Sequence, residues 1–198
     1  LGYVHQQHGR AQESLALYEK AIEYDPTFGG ARYNYGTVLL ALGRISDGLA
    51  QLEKAAEITP RDPNVQLNLA NARLFSGDAL GAMRALERSI QLSPAEVAPL
   101  NNLAWLLSTL PDASLRDGRR AVALMTKALD LTSPPTLQTL RTLAAAHAEA
   151  GDFNAAIKTT SRALEEARRQ GDTAMANTLQ SELAAYRHDT PMRFSQTR

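Results

Sequence analysis

A repeat of 34 residues constrains the fold of this chain more than any other feature of its sequence. Shifting the sequence by 34 positions aligns prolines with prolines and glycines with glycines, and it also aligns three columns of small residues. Five columns with one period indicate a stack of structural repeats, because such a repeat buries its apolar face only against a neighbour. The columns are Pro26, Pro60 and Pro94; Gly9, Gly43 and Gly77; Gly2, Gly36, Ala70 and Ala104; Ala21, Ala55 and Ser89; and Ser14, Gly48 and Ala82.

Each repeat predicts two amphipathic helices. In the second repeat, apolar residues recur at helical spacing from Tyr35 to Leu42 and again from Ile45 to Ile58. Gly43 lies between the two runs and can take the left-handed conformation that ends a helix, and the same column predicts a turn at Gly9 and Gly77. Small residues where paired helices cross let the two backbones approach closely. The sequence therefore predicts an all-α fold without strands: a right-handed superhelical solenoid of about ten helices in antiparallel pairs, plus a C-terminal capping helix.

Proline, aspartate and serine mark the predicted helix ends. The residue before a proline disfavours helical geometry, so Asp25, Thr59 and Ser93 are predicted to end helices. Ser93 followed by Pro94 also fits an N-cap and first helical position, and Ser93 with Glu96 fits a capping box. The other predicted N-caps are Asp62, Asp78, Asp152 and Asp172.

The repeats are predicted to form one solenoid domain over residues 1–187, followed by a flexible polar tail over 188–198. The chain begins inside the first helix of a repeat and lacks an initiator methionine, which predicts a piece of a longer protein. The fourth repeat carries a loop roughly five residues longer than its counterparts, and its Arg116, Arg119 and Arg120 are predicted to be solvated rather than a contact patch. The predicted boundaries are 1–26, 27–60, 61–94, 95–134 and 135–170 for the repeats and 172–187 for the capping helix. The capping helix is predicted to place Met175, Leu179, Leu183 and Tyr186 on one apolar face.

These columns resemble the tetratricopeptide repeat family, whose pattern places small residues, a turn glycine and a closing proline at these spacings. The resemblance implies a concave face lined by the first helix of each repeat. The stretches LAWLLSTLPDASLRDGRRAV and TLRTLAAAHAEAGDFNAAIKTTSRALEEA also resemble the terminal repeats of a group of bacterial tetratricopeptide proteins. Some members of that group carry an upstream membrane glycosyltransferase domain, and others are free-standing.

Asparagines recur on the face that the resemblance makes concave. Asn34, Asn68 and Asn102 occupy one position at the full period, and Thr142 takes that position in the fifth repeat. An amide both donates and accepts, so such a row can pair with the backbone of an extended peptide. It resembles the asparagine ladder of the protein O-linked N-acetylglucosamine transferases, although the amides can equally bond neighbouring helices. The other residues expected on this face are Tyr33, Asn71, Asn101, Trp105 and Arg141.

Trp105 and Arg141 each need a closer interpretation. Trp105 is the only tryptophan, and it suits both an interface hot spot and a core position. Arg141 stands alone, whereas family members that grip a terminal carboxylate use a set of cations. His5 and His8 lie three residues apart, and they are predicted to be a solvated pair rather than a metal site. No cofactor is expected.

Composition narrows the class of partner. Lys+Arg and Asp+Glu are equal at 21 each, so bulk charge favours neither nucleic acid nor an anionic membrane. No apolar run approaches the roughly 20 residues that span a bilayer. The chain has no cysteine, which leaves cytoplasmic and periplasmic locations open. It also lacks a phosphate-binding loop or nucleophile motif, so it is predicted not to be an enzyme.

Three functional hypotheses follow. The leading one is a protein-interaction scaffold that binds an extended peptide or partner segment in its concave groove. The second is an accessory region of a larger enzyme, such as a glycosyltransferase, that presents substrate or drives oligomerisation. The third is self-association through an apolar edge of the truncated first helix.

Overall fold

A computed structural model of the chain describes residues 2–194, with side chains described from residue 11 onward. Within this range the regular structure consists of ten α-helices and a short 3-10 helix at Ala113–Leu115, with no strand. The predicted all-α class is confirmed. None of these helices combines the length and the apolar character needed to cross a membrane. The helices are α1 Gly2–Tyr24, α2 Gly29–Ala41, α3 Ile45–Ile58, α4 Pro63–Phe75, α5 Ala79–Leu92, α6 Val97–Thr109, α7 Gly118–Asp130, α8 Leu137–Glu149, α9 Phe153–Arg169 and α10 Thr173–Tyr186.

The contacts group the chain into two compact units. Unit 1 is Leu1–Pro94 and contains α1 to α5, and unit 2 is Ala95–Arg198 and contains α6 to α10. The division falls at the predicted boundary between the third and fourth repeats. The single solenoid domain that the sequence predicts over residues 1–187 stays a prediction.

The helix α1 differs from the prediction for the first repeat. The sequence places a turn at Gly9, whereas α1 continues through this residue from Gly2 to Tyr24. A helix that has formed grows by one backbone hydrogen bond per residue fixed, so it continues unless packing favours a reversal. At Gly43 the tight packing of α2 against α3 supplies that reason. At Gly9 the helix extends instead, and the predicted first pair becomes a single helix.

The columns of small residues lie where paired helices cross in unit 1. A Cβ atom added to Gly36 would lie 2.8 Å from Cγ of Leu52 and 3.0 Å from the carbonyl oxygen of Gly48. One added to Gly48 would lie 2.8 Å from Cδ2 of Leu40. Ala55 is fully buried on the same helix as Gly48. The two backbones therefore approach closely, as the sequence predicts.

Most of the predicted helix ends are confirmed. Gly43 and Gly77 have φ angles of 77° and 90°, in the left-handed region that glycine tolerates. The chain leaves the helix before each of the recurring prolines, so that Tyr24, Ile58 and Leu92 are the last helical residues. The side chains of the four predicted aspartate N-caps accept hydrogen bonds from backbone amides in the first turns of α4, α5, α9 and α10; these caps are Asp62, Asp78, Asp152 and Asp172.

The predicted N-cap at Ser93 is wrong. Its backbone amide still donates to the carbonyl oxygen of Ser89 at 2.9 Å, so Ser93 closes α5 instead of opening α6. Pro94 and Ala95 then form a turn, and α6 begins only at Val97. Glu96 is the N-cap residue of α6, without a side-chain cap hydrogen bond. The predicted capping box is therefore absent.

The predicted capping helix is α10, which packs on α9. Leu179 and Leu183 lie in a buried cluster with Leu140, Ala163 and Leu164, and Met175 packs against its edge. Tyr186 is also fully buried. The sequence correctly assigns Met175, Leu179, Leu183 and Tyr186 to one apolar face.

The long loop of the fourth repeat is partly ordered by Arg116, which the sequence predicts to be solvated. Nε of Arg116 donates to Oε1 of Glu149 at 2.8 Å, and the same guanidinium donates to the carbonyl oxygens of Leu110 and Pro111 at 2.8 Å. Only 14% of each charged side chain is exposed. A carboxylate that is this far buried needs a paired cation, so Glu149 binds Arg116 against the protein surface. Arg119 and Arg120 lie in the first turn of α7 and are exposed, as predicted.

Residues 192–194 also differ from the expectation of a free tail, because Met192, Arg193 and Phe194 contact unit 2. The last four residues lie outside the described part of the chain.

Candidate peptide-binding site

In unit 1 the predicted site residues lie on α2 and α4. The hydroxyl of Tyr33 accepts a hydrogen bond from Nδ2 of Asn68 at 2.8 Å, and both side chains are half-buried. Asn68 thus bonds a neighbouring helix, which is the alternative interpretation of the asparagine row. Asn34 is exposed at the corresponding position of α2, and Asn71 is half-buried one helical turn after Asn68. This face offers an exposed amide beside an internally bonded one.

In unit 2 the predicted asparagines lie at the middle of α6. Asn101 is 7% exposed, and its Oδ1 has no hydrogen-bond partner among the described residues. Leaving such an acceptor buried and unpaired costs about 1–3 kcal/mol. Asn102, which continues the row, is half-buried. Thr142 takes the row position in the fifth repeat and is fully buried.

Trp105 and Arg141 come together in unit 2. The guanidinium carbon of Arg141 lies 4.5 Å from the centroid of the Trp105 ring, which is cation–π geometry. Nε of Arg141 donates to Oε1 of Glu182 at 2.8 Å, and a terminal nitrogen lies 2.7 Å from the same oxygen. Trp105 is half-buried rather than a core residue. The guanidinium is therefore held between an aromatic face and a carboxylate.

Glu182 is the residue of this group that the sequence-based prediction missed. Its side chain is 1% exposed, and burial raises the pKa of its carboxyl group although the hydrogen bond from Arg141 opposes the shift. Oε2 of Glu182 has no hydrogen-bond partner within the described range. A signal for it existed, since Glu182 lies three residues after Leu179 and four before Tyr186 on the apolar face of α10.

Tyr186 completes the buried polar part of this region. Burial raises the pKa of its phenol, and the nearby Glu182 carboxylate raises it further. Its hydroxyl likewise has no hydrogen-bond partner in the part of the chain that the structure describes. Glu182 compensates the charge of Arg141, so this guanidinium is paired within unit 2 and does not present an isolated positive charge.

No metal site is visible among the described side chains, where no three His, Asp or Glu residues are grouped so that they could hold an ion. His5 and His8 lie outside the described side chains, so their predicted solvation is untested.

Residues 5–72 match the sequence model of the tetratricopeptide repeat family. No curated protein sequence matches the chain.

Solved structures match a larger part of the chain than the family model does. MamA from Desulfovibrio magneticus RS-1, starting at its residue 41, superposes with a TM-score of 0.70 at 18% identity, covering 85% of this chain and 93% of that one. TTC0263, a TPR protein of Thermus thermophilus, gives 0.62 at 22% identity, covering 95% and 97%. YrrB, described as a TPR protein with an unusual peptide-binding site, gives 0.70 at 15% identity, covering 91% and 90%.

At these identities the similarity to solved structures concerns the fold alone. It extends across both units, whereas the sequence model matches unit 1 only. Residues 5–72 therefore carry the tetratricopeptide repeat pattern, and the chain has the fold of tetratricopeptide repeat proteins.

Proposed function

We propose that the chain is a protein-interaction scaffold that binds an extended peptide or partner segment. The principal contact surface is the face of unit 2 formed by Asn101, Asn102, Trp105 and Arg141, named here the inner face of unit 2. The description of YrrB as a TPR protein with a peptide-binding site supports this class of function.

The arrangement of Arg141 between Trp105 and Glu182 carries the proposal. Two nitrogens of the guanidinium are engaged by Glu182, so the side chain is fixed in place before a ligand arrives. Fixing a rotamer-rich side chain in advance lowers the entropic cost of binding. The remaining N–H groups of the guanidinium can donate to peptide carbonyl oxygens, and Trp105 supplies an aromatic surface for a side chain.

Asn101 provides the complementary group. It lies one helical turn before Trp105, and its unpartnered Oδ1 is buried, so it accepts from a backbone N–H of the ligand only after the side chain turns outward. A peptide strand offers N–H donors and carbonyl acceptors alternately along its length. Asn101 can accept from its N–H groups, and Arg141 can donate to its carbonyl oxygens. A ligand amide that reaches Oδ1 recovers the cost of leaving this acceptor unpaired.

In unit 1 we propose Tyr33, Asn34, Asn68 and Asn71 as a second contact surface. The exposed amide of Asn34 is its most accessible group. The bond between Tyr33 and Asn68 fixes both side chains across α2 and α4.

The other expectations stay predictions. These are the accessory role in a larger enzyme such as a glycosyltransferase, the self-association, and the absence of catalysis and of nucleic-acid binding. No contact among the described residues favours an enzyme role over the scaffold.

The test uses peptides selected on the full chain from a displayed random library. For the tightest of them, Trp105→Ala should weaken binding by roughly 30-fold, which corresponds to the 2 kcal/mol of an aromatic hot spot. Phe75→Ala is the matched control, because Phe75 is an aromatic residue of unit 1 that is 64% exposed. Affinity and melting temperature are measured together. Unchanged affinity in a folded Trp105→Ala protein would move the binding site away from this face.

A further inference from the structure

The segment Met192–Phe194 follows α10 without regular secondary structure and contacts the ends of two other helices. The backbone N–H of Phe194 donates to the carbonyl oxygen of Thr109 at 2.7 Å. A terminal nitrogen of Arg193 lies 2.8 Å from Oε2 of Glu149 and 3.4 Å from the carbonyl oxygen of Ser108. Arg193 and Phe194 are thus held by an ion pair and by hydrogen bonds to two helix ends.

Met192 supplies the apolar part of the contact. It packs against a buried cluster that includes Tyr186 from α10. The other buried members of this cluster are Ala144 and Ala148 from α8 and Ala156 from α9.

The chemistry of this surface suits an arginine next to a backbone donor. Thr109 is the last residue of α6, and the final carbonyl groups of a helix lack intrahelical partners. The C-terminal end of a helix dipole also favours a cation. Glu149 is the last residue of α8, and Arg116 already binds its other carboxylate oxygen. Two open carbonyl groups and one carboxylate oxygen therefore face Arg193 and Phe194.

The same surface continues the inner face of unit 2. Thr109 follows Trp105 by one helical turn on α6, and Glu149 follows Arg141 by two turns on α8, so each pair shares one side of its helix. A peptide that runs along Trp105 and Arg141 toward the ends of these helices meets Met192–Phe194.

We propose that the ends of α6 and α8 form a docking site for an extended segment with an arginine between apolar residues. The chain's own Met192–Phe194 occupies this site until a partner segment of the same chemistry displaces it. The inference rests on the proposed function, because it makes the occupied surface the far end of the peptide-binding face.

Few contacts hold the tail, but its tether favours it over an external segment. Among the described residues its ion pairing depends on Arg193, whose side chain is 37% exposed, and its backbone pairing to α6 is a single hydrogen bond. Five residues separate Tyr186 from Met192, and so short a tether gives an effective concentration of roughly millimolar. An external segment therefore competes poorly for this site until the contacts of the tail with Glu149 and α6 are weakened.

The experiment measures binding of a synthetic peptide with the sequence of residues 188–194, blocked at both ends, to the full chain and its variants. Arg193→Glu sets a carboxylate against Glu149 and should release the tail, so the peptide should bind about ten-fold more tightly than to the wild type. Arg193→Ala should give a smaller gain in the same direction. Arg187→Glu is the matched control, because Arg187 is an exposed arginine at the end of α10, and it should leave the affinity unchanged.

Two further measurements test the site itself. Adding Glu149→Gln to Arg193→Glu should remove most of the gained affinity, and a peptide with alanine in place of arginine should bind weakly to every variant. Hydrogen exchange of the Phe194 amide should be slow in the wild type and fast in Arg193→Glu. Equal peptide affinity for the wild type and both Arg193 variants would overturn the proposal. A wild-type dimer that Arg193→Glu converts to a monomer would also overturn it, because the tail would then belong to a second copy.

The two proposals fail differently. If library-selected peptides depend on Trp105 while Arg193→Glu changes no affinity, the tail inference fails and the proposed function stands. If the tail peptide gains affinity with Arg193→Glu while no peptide depends on Trp105, the docking site stands and the binding role of the inner face fails.

Discussion

At the scale of single residues, side-chain volume at helix crossings determines how closely the repeats pack. Gly36 and Gly48 face each other with no room for a Cβ atom on either, and Ala55 is fully buried on α3. These positions recur every 34 residues, so the sequence alone identifies them. Arg116 shows the limit of such reasoning, since nothing in the repeat pattern indicates that Glu149 would bind it.

Replacing Ala55 by leucine should therefore destabilise the chain by about 1–3 kcal/mol, because the larger side chain forces the paired helices apart. Ala50→Leu is the control, since Ala50 is exposed on the same helix. Chemical denaturation of both variants measures the free energy of unfolding. Equal stability of the two would show that the small column is not a packing contact.

At the scale of elements, periodicity identifies helices better than it identifies their ends. The sequence predicts the apolar face of α10 residue by residue, whereas the predicted capping box at Ser93 is wrong because that residue remains bonded to α5. The predicted turn at Gly9 is wrong because a glycine permits a reversal but does not impose one. The pairing of Arg141 with Glu182 joins α8 to α10, and it depends on a contact across 41 residues that no local pattern encodes.

The Glu182 carboxyl group should make the link between α8 and α10 sensitive to pH. Burial raises its pKa in the folded chain above the ordinary value of 4.5, so ionisation favours the unfolded state. The group therefore contributes most stability below pH 4.5, and that contribution is lost as the pH rises through the folded pKa. Relative to Glu182→Gln, which does not titrate, the wild type should lose stability as the pH rises above 4.5 and through the raised pKa of the folded chain.

Thermal unfolding of both proteins across this range measures the difference. Glu165→Gln is the control, because Glu165 is an exposed glutamate of α9. A difference between wild type and Glu182→Gln that is constant with pH, or that reverses in sign, would contradict the assignment.

At the scale of the whole molecule, the fold class follows from the repeat period and the binding role follows from side-chain geometry. The repeat pattern requires a small, apolar or turn residue at most positions. Few side chains are therefore free to differ between members of the family. The candidate residues Asn101, Trp105 and Arg141 are among those few. Their types are readable from the sequence, but the stacking of Arg141 on Trp105 and the occupation of the neighbouring surface by Met192–Phe194 are not.

The central claim is that peptides bind at the inner face of unit 2, and the single tryptophan of the chain reports on that face directly. In a fluorescence titration of the full chain with a library-selected peptide, the emission of Trp105 should change and saturate at the dissociation constant that calorimetry gives. Arg141→Lys should weaken binding and reduce the spectral change, because lysine cannot both stack on the ring and bridge to Glu182 in the same geometry. Calorimetric binding of the peptide with an unchanged Trp105 emission spectrum would contradict the claim.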